Sequence, residues 1–246
     1  MATKAKYTRL LVDAFDFSTV SNSLEVAFTA EKVDVTTFQA SGKEFLIMGA
    51  EGAITQQGYL TGAGAGYFEQ EIYESIANTE TLTVAALFGT DTAACPAYVA
   101  PGVNTEGLTI EAPVAGVITV AGNWGSGSGI LRGLRVWTGT FSATGAQTVP
   151  GYIDLGAQGT AGGKAWLFIQ TITGSATNAT VTLESDDATD FVGAATEGTF
   201  TFSAVGVQTM TLSGTVNRYV RLNCTSLGGA TSFVVVAIAA VSGVTY

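Results

Sequence analysis

The amino-acid sequence predicts an all-β protein, and three observations predict it. Runs rich in Val, Thr, Phe and Ile alternate with polar residues all along the chain. Gly, Ser, Asn and Asp punctuate those runs, and a single segment carries a helical period. A period of two is the pattern of strands buried on one face. Many short strands separated by turn residues are the signature of sandwiches and barrels.

Residues 7–12 read as a first strand and 13–22 as a polar connection. Leu24, Val26 and Phe28 alternate with Glu25 and Ala27, then Val33 and Val35 with Asp34 and Thr36, which predicts a hairpin with a polar turn at 29–32. A long Gly-containing loop is expected over 39–52, then a strand-like run to Gly62. Residues 67–78, YFEQEIYESIAN, are the helix candidate. Phe68, Ile72 and Ile76 form its apolar stripe, and Glu69 and Glu71 suit the positive end of the helix dipole. Strands are expected at 82–88, 97–99, 108–110, 114–121 and 130–141, with NWGSGSG (123–129) as a loop.

Residues 142–150 read as a linker, giving two domains, 1–145 and 146–246. Beyond it come strands at 152–155, 165–171, 180–184, 199–203, 207–212, 219–223 and 233–241, the count of a small β-sandwich. The last is apolar at both parities and predicts a central strand covered on both faces. Trp166, alternating with Phe168, is expected to face the core of this second sandwich.

The charge pattern narrows the functional classes. Of 246 residues only 12% are charged, about half the share usual in soluble domains. Such a surface suits a subunit that buries much of itself against copies of itself. The net charge of −10 opposes binding of nucleic acid through its phosphates. Residues 1–145 hold 14 acidic and 7 basic side chains, and 146–246 hold 6 and 3.

Histidine is absent, which removes the commonest general base and metal ligand. Cys95 and Cys224 are too far apart in sequence to suggest a zinc site and read as buried thiols, although a disulfide stays open. The N-terminus lacks the apolar core of a signal peptide, and the apolar run 233–241 is too short to span a membrane.

No candidate site outweighs a structural reading. Asp186, Asp187 and Asp190 could offer oxygens to calcium, but their spacing is not that of an EF-hand loop, and a turn held by Asp side chains is the simpler reading. The glycines at 62–66 lack the Lys-Ser/Thr of a phosphate loop and read as a flexible approach to the helix. Glu69, Glu71 and Glu74 read as solvated charges or subunit contacts rather than a catalytic pair. Trp124, Trp137 and Trp166 could stack on sugars but more simply anchor a core or an interface. Arg218 and Arg221 are three apart in a strand and face opposite ways. No catalytic residue, cofactor site or metal site is expected, and the chain does not read as an enzyme.

The segment VAFTAEKVDVTTFQASGKEFLIMGAEGAITQQGYL, residues 26–60, resembles the corresponding region of major tail proteins (tail tube proteins) of long-tailed, siphovirus-type phages. The resemblance rests on DVTTF at 34–38, the GKEF turn at 42–45 and the Gly-rich strand at 51–62, with the helix 67–78 and the strand 114–122 following in order. Leu46, Ile47 and Met48 depart from it by being more apolar. The second half is similar to the additional C-terminal domain of many such proteins, at 152–156, 165–169, SDDATDF at 185–191 and VNRYVRLN at 216–223.

The resemblance implies a tail-tube-type β-sandwich or barrel with one flanking helix, plus a second sandwich on the outer surface. It implies a structural virion protein whose rings, usually hexameric, stack into a hollow tube conducting DNA without specific binding. Partners would be copies of itself and the tape measure, tail terminator and distal tail proteins. The chain would be made in the cytoplasm of a bacterial host and would reside in the virion, away from membranes. On this footing the hairpin residues Glu25, Asp34 and Thr36 are expected to face the lumen. Gln39, Ser41, Lys43, Phe45, Ile47 and Met48 are expected in a loop reaching a neighbouring subunit. The alternatives are a capsid decoration or other head protein, and a carbohydrate-binding surface module built on Tyr152, Trp166 and the Asp186–Asp190 turn.

Overall fold

The computed structural model describes residues 8–34, 45–62, 66–78, 81–89, 94–126 and 129–245. Its elements are β1 (Thr8–Val12), β2 (Phe15–Asp16), β3 (Ser21–Asp34), β4 (Phe45–Tyr59), α1 (Phe68–Asn78), β5 (Leu82–Phe88), β6 (Pro96–Glu111), β7 (Thr119–Ser126) and β8 (Leu131–Phe141). Then follow β9 (Gly145–Ala146), β10 (Ile153–Asp154), β11 (Ala161–Gly174), β12 (Ala179–Asp186), β13 (Ala195–Phe202), β14 (Gly206–Thr215), β15 (Tyr219–Ser226) and β16 (Ala230–Val241). The fold is all-β, as the alternation predicts. The chain forms two compact units: Met1–Ser18, Ala85–Val99 and Leu131–Tyr246 in one, Thr19–Val84 and Ala100–Ile130 in the other. β5 and β6 each begin in one unit and end in the other.

The larger unit is a β-sandwich. One sheet runs in the order β14-β11-β16-β8 and continues into β6, β5, β1 and β2; the other runs β10-β15-β12-β13, with β9 beside β15. Leu167, Ile169, Val235 and Ala237 from the first meet Val181, Leu183, Phe200, Phe202, Val220 and Leu222 from the second in one continuous core. Each buried Leu, Val or Phe contributes roughly 1.5–3 kcal/mol of transfer free energy. The opposite faces of β11 and β16 carry Trp166, Phe168, Val236 and Ile238, which pack with Leu11, Ala85, Leu87, Cys95, Ala97 and Val99. β16 is therefore covered on both faces, which explains its apolar residues at both parities. Trp166 lies in that second cluster and not in the sandwich core, because the period of two turns Ala165 and Leu167 toward the sandwich and Trp166 away.

The smaller unit is a four-stranded antiparallel sheet in the order β3, β4, β7 and the second half of β6. Helix α1 covers one of its faces. The Phe68 ring meets Trp124 edge-on at 6.2 Å, and the Ser75 and Thr105 hydroxyls are 2.6 Å apart. A Cβ at Gly122 would come within 3.1 Å of the Phe68 ring and 3.0 Å of Trp124, so glycine lets helix and sheet approach there.

Several boundaries differ from the sequence reading. Residues 29–32 form no turn: β3 runs through them, and the extra residue is absorbed by a register shift between Ala30 and Lys32. Phe45, Ile47 and Met48 lie in strand β4, so the expected loop is strand from Phe45 onward. The segments expected at 97–99 and 108–110 are one strand, β6. Asn123, Trp124, Gly125 and Ser126 belong to β7, while Val114 is fully exposed outside any strand. Ile76 of α1 is exposed, although Phe68 and Ile72 are buried.

Residues 142–150 are not a free linker. β9 pairs with Asn223 and Cys224, and buried Gln147 accepts a 2.8 Å hydrogen bond from the Leu222 amide and donates one of 2.7 Å to the Pro150 carbonyl. The compact units also do not divide at 145/146, since β8 pairs with β16 from Phe141 opposite Phe233 to Leu134 opposite Ala239.

Candidate functional site

The face of the four-stranded sheet not covered by α1 is the candidate site. It arises from the alternation of β4, where Gly52, Ile54, Gln56 and Gly58 are buried and Glu51, Thr55, Gln57 and Tyr59 are exposed. Antiparallel register carries that alternation sideways, because directly opposed residues share a face. Thr29, Ala27, Glu25 and Ser23 of β3 stand opposite Glu51, Ala53, Thr55 and Gln57. Gly125, Asn123, Ala121 and Thr119 of β7 continue the face, and Asn104, Gly107, Thr109 and Glu111 of β6 complete it.

Glu106 joins them through a bulge. The β6–β7 register shifts between Thr105 and Gly107, and the Glu106 carboxylate lies flat over Gly125. A Cβ at that glycine would fall 1.7 Å from Oε1. Asn123 Nδ2 donates a 3.0 Å hydrogen bond to Glu106 Oε2, and Thr55 Oγ1 donates one of 3.2 Å to Asn123 Oδ1. A polar chain thus crosses from β4 to β6. A shallow groove on this face is lined by Ala27, Thr29, Glu51, Ala53, Glu106 and Gly125.

Over residues 23–29, 51–59, 104–111 and 119–125 the face carries four carboxylates, Glu25, Glu51, Glu106 and Glu111, and no basic side chain. The rest are Ser, Thr, Asn, Gln, Ala and Gly, with Tyr59 at one end. The unit as a whole holds eleven acidic residues against Lys32 and Lys43, a charge of −9. The other unit holds nine against eight, a charge of −1, and together they make the chain's −10. The acidity therefore belongs to the four-stranded unit.

Of the expected lumen residues, Glu25 is exposed on this face. Asp34 ends β3 opposite Phe45, and Thr36 lies outside the described residues. Of the expected loop, Gln39, Ser41 and Lys43 also lie outside them. Phe45 and Ile47 pair with Asp34 and Lys32, and Met48 falls at the register shift beside them. Glu51, Glu106, Glu111 and Asn123 were not singled out by sequence reasoning. The alternation of 51–59 could have found Glu51, but the bulge that places Glu106 has no sequence signal of its own.

Asp186 Oδ1 accepts the Ala188 amide at 3.0 Å and Asp190 Oδ1 the Val192 amide at 3.2 Å, as Asp-held turns do. Among the described residues no three His, Cys, Asp or Glu side chains converge to hold a metal. Trp124, Trp137 and Trp166 are buried and offer no sugar platform. Arg218 pairs with Asp154 at 2.7 Å, while Arg221 pairs with Glu184 at 2.8 Å and lies over the Phe191 ring. Cys95 and Cys224 are buried free thiols, and burial pushes the Cys224 thiol pKa up. Glu71 accepts the Gly66 amide at 2.7 Å, tying the N-terminal turn of α1. No helix among the described residues is long and apolar enough to cross a membrane.

No family matches the chain, and no curated protein matches it. Among solved structures it is similar to a chain of the virion of a native gene transfer agent particle, with 16% identity, a TM-score of 0.40, and coverage of 52% of this chain and 97% of that one. A chain from the tail of an empty particle of that kind, refined with C6 symmetry, matches with the same values. The SPP1 Dit protein, described as a hub adsorption apparatus in phages infecting Gram-positive bacteria, matches with 12% identity, a TM-score of 0.34, and coverage of 94% and 98%. At TM-scores of 0.40 and below, these likenesses decide neither the fold nor the function.

Proposed function

We propose that the protein is a structural virion subunit, a major tail protein that assembles into six-membered rings stacked as the hollow tube of a phage tail. The observation that carries this reading is the four-stranded sheet itself. One face is packed under α1; the other is acidic, built of small polar residues and free of basic side chains over residues 23–29, 51–59, 104–111 and 119–125. Its outer strands support assembly: β3 pairs with β4 alone, and the second half of β6 with β7 alone, among the described residues. Long open strand edges are templates for pairing with another chain.

The number of strands supports a repeating contact. Four successive antiparallel strands leave β3 and β6 running in opposite directions. β6 of one copy can therefore take β3 of the next as an antiparallel partner, and the junction repeats. Such a head-to-tail contact closes into a ring when its rotation closes. With the open face inward, the carboxylates line a bore that repels DNA phosphates and lets the duplex slide. Glu25, Glu51, Glu106 and Glu111 are the lumen residues on this reading, and the connection between β3 and β4, with Gln39, Ser41 and Lys43, is the segment that reaches a neighbouring copy.

The test is negative-stain microscopy of the purified full-length protein at high concentration, with immunogold labelling of assembled particles. Rings or tubes of constant bore, and label along the tail, are expected. A strictly monomeric protein with label on the head would contradict the reading.

A further inference from the structure

The connection between β6 and β7, residues 112–118, reads APVAGVI and carries no polar side chain. All seven residues are exposed, Val114 fully and Val117 by 61%. The exposed apolar surface continues into the strands beside it. Ile110 of β6, opposite buried Val120, is exposed. Tyr59 ends β4 opposite Thr119, with 45% of its surface exposed. The Leu60 amide donates a 3.1 Å hydrogen bond to the Ile118 carbonyl, which ties the end of β4 to this turn. One end of the four-stranded sheet is therefore an apolar tip. A single exposed apolar residue needs no explanation, but a consecutive run of them in a turn marks a contact surface.

The opposite end of the sheet carries the connection between β3 and β4: Asp34 pairs with Phe45 there, while Ser21 pairs with Gly58 beside the tip. That connection is apolar at Val35 and Phe38, and Phe45, Leu46, Ile47 and Met48 follow it. We infer that the apolar tip of one copy is the seat for the β3–β4 connection of a second copy, and that this contact stacks one ring on the next. It rests on the ring reading and deepens it. The connection cannot cover the tip of its own chain. β4 has 15 residues, so the tip lies roughly 45 Å from Phe45 at about 3.3 Å per residue. Residues 35–44 leave and return at the far end, so they reach out by at most about 18 Å. Nor does it meet a tip within one ring, because antiparallel pairing of β6 with the next copy's β3 sets every tip at one rim and every connection at the other. The contact is therefore head-to-tail between rings, buries apolar area and leaves the stack free to grow. A two-fold contact of tip with tip would stop the assembly at two rings.

The test uses the full chain with Ser41→Cys and Val114→Cys, singly and together, treated with a short bis-maleimide under assembly conditions. The native Cys95 and Cys224 are buried. The double variant is expected to give a ladder of covalent oligomers on denaturing gels, and each single variant to stay monomeric. Val114→Asp with Val117→Asp, both at exposed positions, is expected to keep the monomer folded by circular dichroism and the rings intact by microscopy. It is expected to raise the critical concentration for tube growth at least about tenfold. Tubes that grow normally from the aspartate variant, or from the double cysteine variant without the ladder, would overturn the stacking contact while leaving the ring reading intact. A dimer from Val114→Cys alone would overturn it in favour of tip-to-tip contact. Folded aspartate variants that no longer form rings would overturn it by placing the tip within the ring. Wild-type chains that never assemble would overturn both.

Discussion

Asn123 Nδ2 donates a 3.0 Å hydrogen bond to the Glu106 carboxylate across the β6–β7 pair, and this fixes a negative charge flat on the open face of the sheet. The bond exists because a bulge turns Glu106 inward over Gly125, which has no side chain to obstruct it. Glu106 thereby joins Glu25, Glu51 and Glu111 in an acidic wall on that face.

Reversing the charge of this wall should convert a non-binder into a binder. Glu51→Lys with Glu106→Lys is expected to leave the circular dichroism spectrum unchanged and to produce double-stranded DNA binding that falls steeply with salt. The expected log–log slope is about −0.9 for each phosphate neutralised. Filter binding across a salt series checks this, and a double variant as indifferent to DNA as the wild type would refute an acidic, phosphate-repelling face.

Two glycines of β7 should respond differently to one added methyl group. At Gly122 the new Cβ meets the buried rings of Phe68 and Trp124, which cannot move aside. Gly122→Ala is therefore expected to destabilise by roughly 1–3 kcal/mol. At Gly125 it meets only the end of the flexible Glu106 side chain. That carboxylate can swing into water with loss of one exposed hydrogen bond, about 0.5–1.5 kcal/mol or less. Urea denaturation of both variants measures the difference; equal losses would show that α1 is not held against Gly122.

In the sandwich unit, Asp154 and Arg218 give a pH-dependent term. Hydrogen bonds from Arg218 Nε and Nη2, 2.8 and 2.7 Å, hold the Asp154 carboxyl below the usual carboxylate range; slight burial opposes them, and the Gly156 amide adds to the lowering. A carboxylate lowered in the folded state contributes stability above its unfolded pKa of about 3.9, and that stability is lost as pH falls through the lower folded value. Both side chains are well exposed, so salt should weaken the effect. A carbon NMR titration of Asp154 is expected to move up toward the ordinary range in Arg218→Gln, and an unchanged midpoint would assign the shift elsewhere.

The segment between β3 and β4 should govern stacking rather than folding. Phe45, Leu46, Ile47 and Ala50 pair with β3, so deleting residues 45–50 would remove the first part of β4. Replacing residues 36–43 with a short Gly-Asn turn spares both strands and is expected to leave folded subunits that form rings but not long tubes. Size-exclusion chromatography with microscopy separates these states, and tubes of normal length would exclude the segment from stacking.

Much of this fold was legible because strand alternation is local. β8 and β10 to β16, and the helix, fell close to their expected places, and the both-sided apolarity of β16 marked its central position. What escaped was set by partners distant in sequence. The strands expected at 97–99 and 108–110 are one, with Pro101 and Gly102 where β6 passes from pairing with β8, ending at Val99, to pairing with β7, beginning at Asn104. Gly102 takes the left-handed φ of 63° that the passage requires. Asn123 to Ser126 looked like a flexible loop because of its glycines, but Trp124 buries one face of that strand and Glu106 covers Gly125 on the other. Glu25 stands on the open face in step with the alternation of β3. Glu106 is out of step, since a bulge moves a residue off the pattern that would reveal it.

The central claim is that the acidic face of the β3-β4-β7-β6 sheet lines the bore of a tube. Cryo-electron microscopy of tubes assembled from the full-length protein, at a resolution that separates strands, tests it most directly. The expected map shows a continuous antiparallel barrel with β3 of each copy beside β6 of the next, Glu25, Glu51, Glu106 and Glu111 toward the axis, and α1 outside. A map with that face outward, or with copies joined through the sandwich unit and both sheet edges left open, would contradict it.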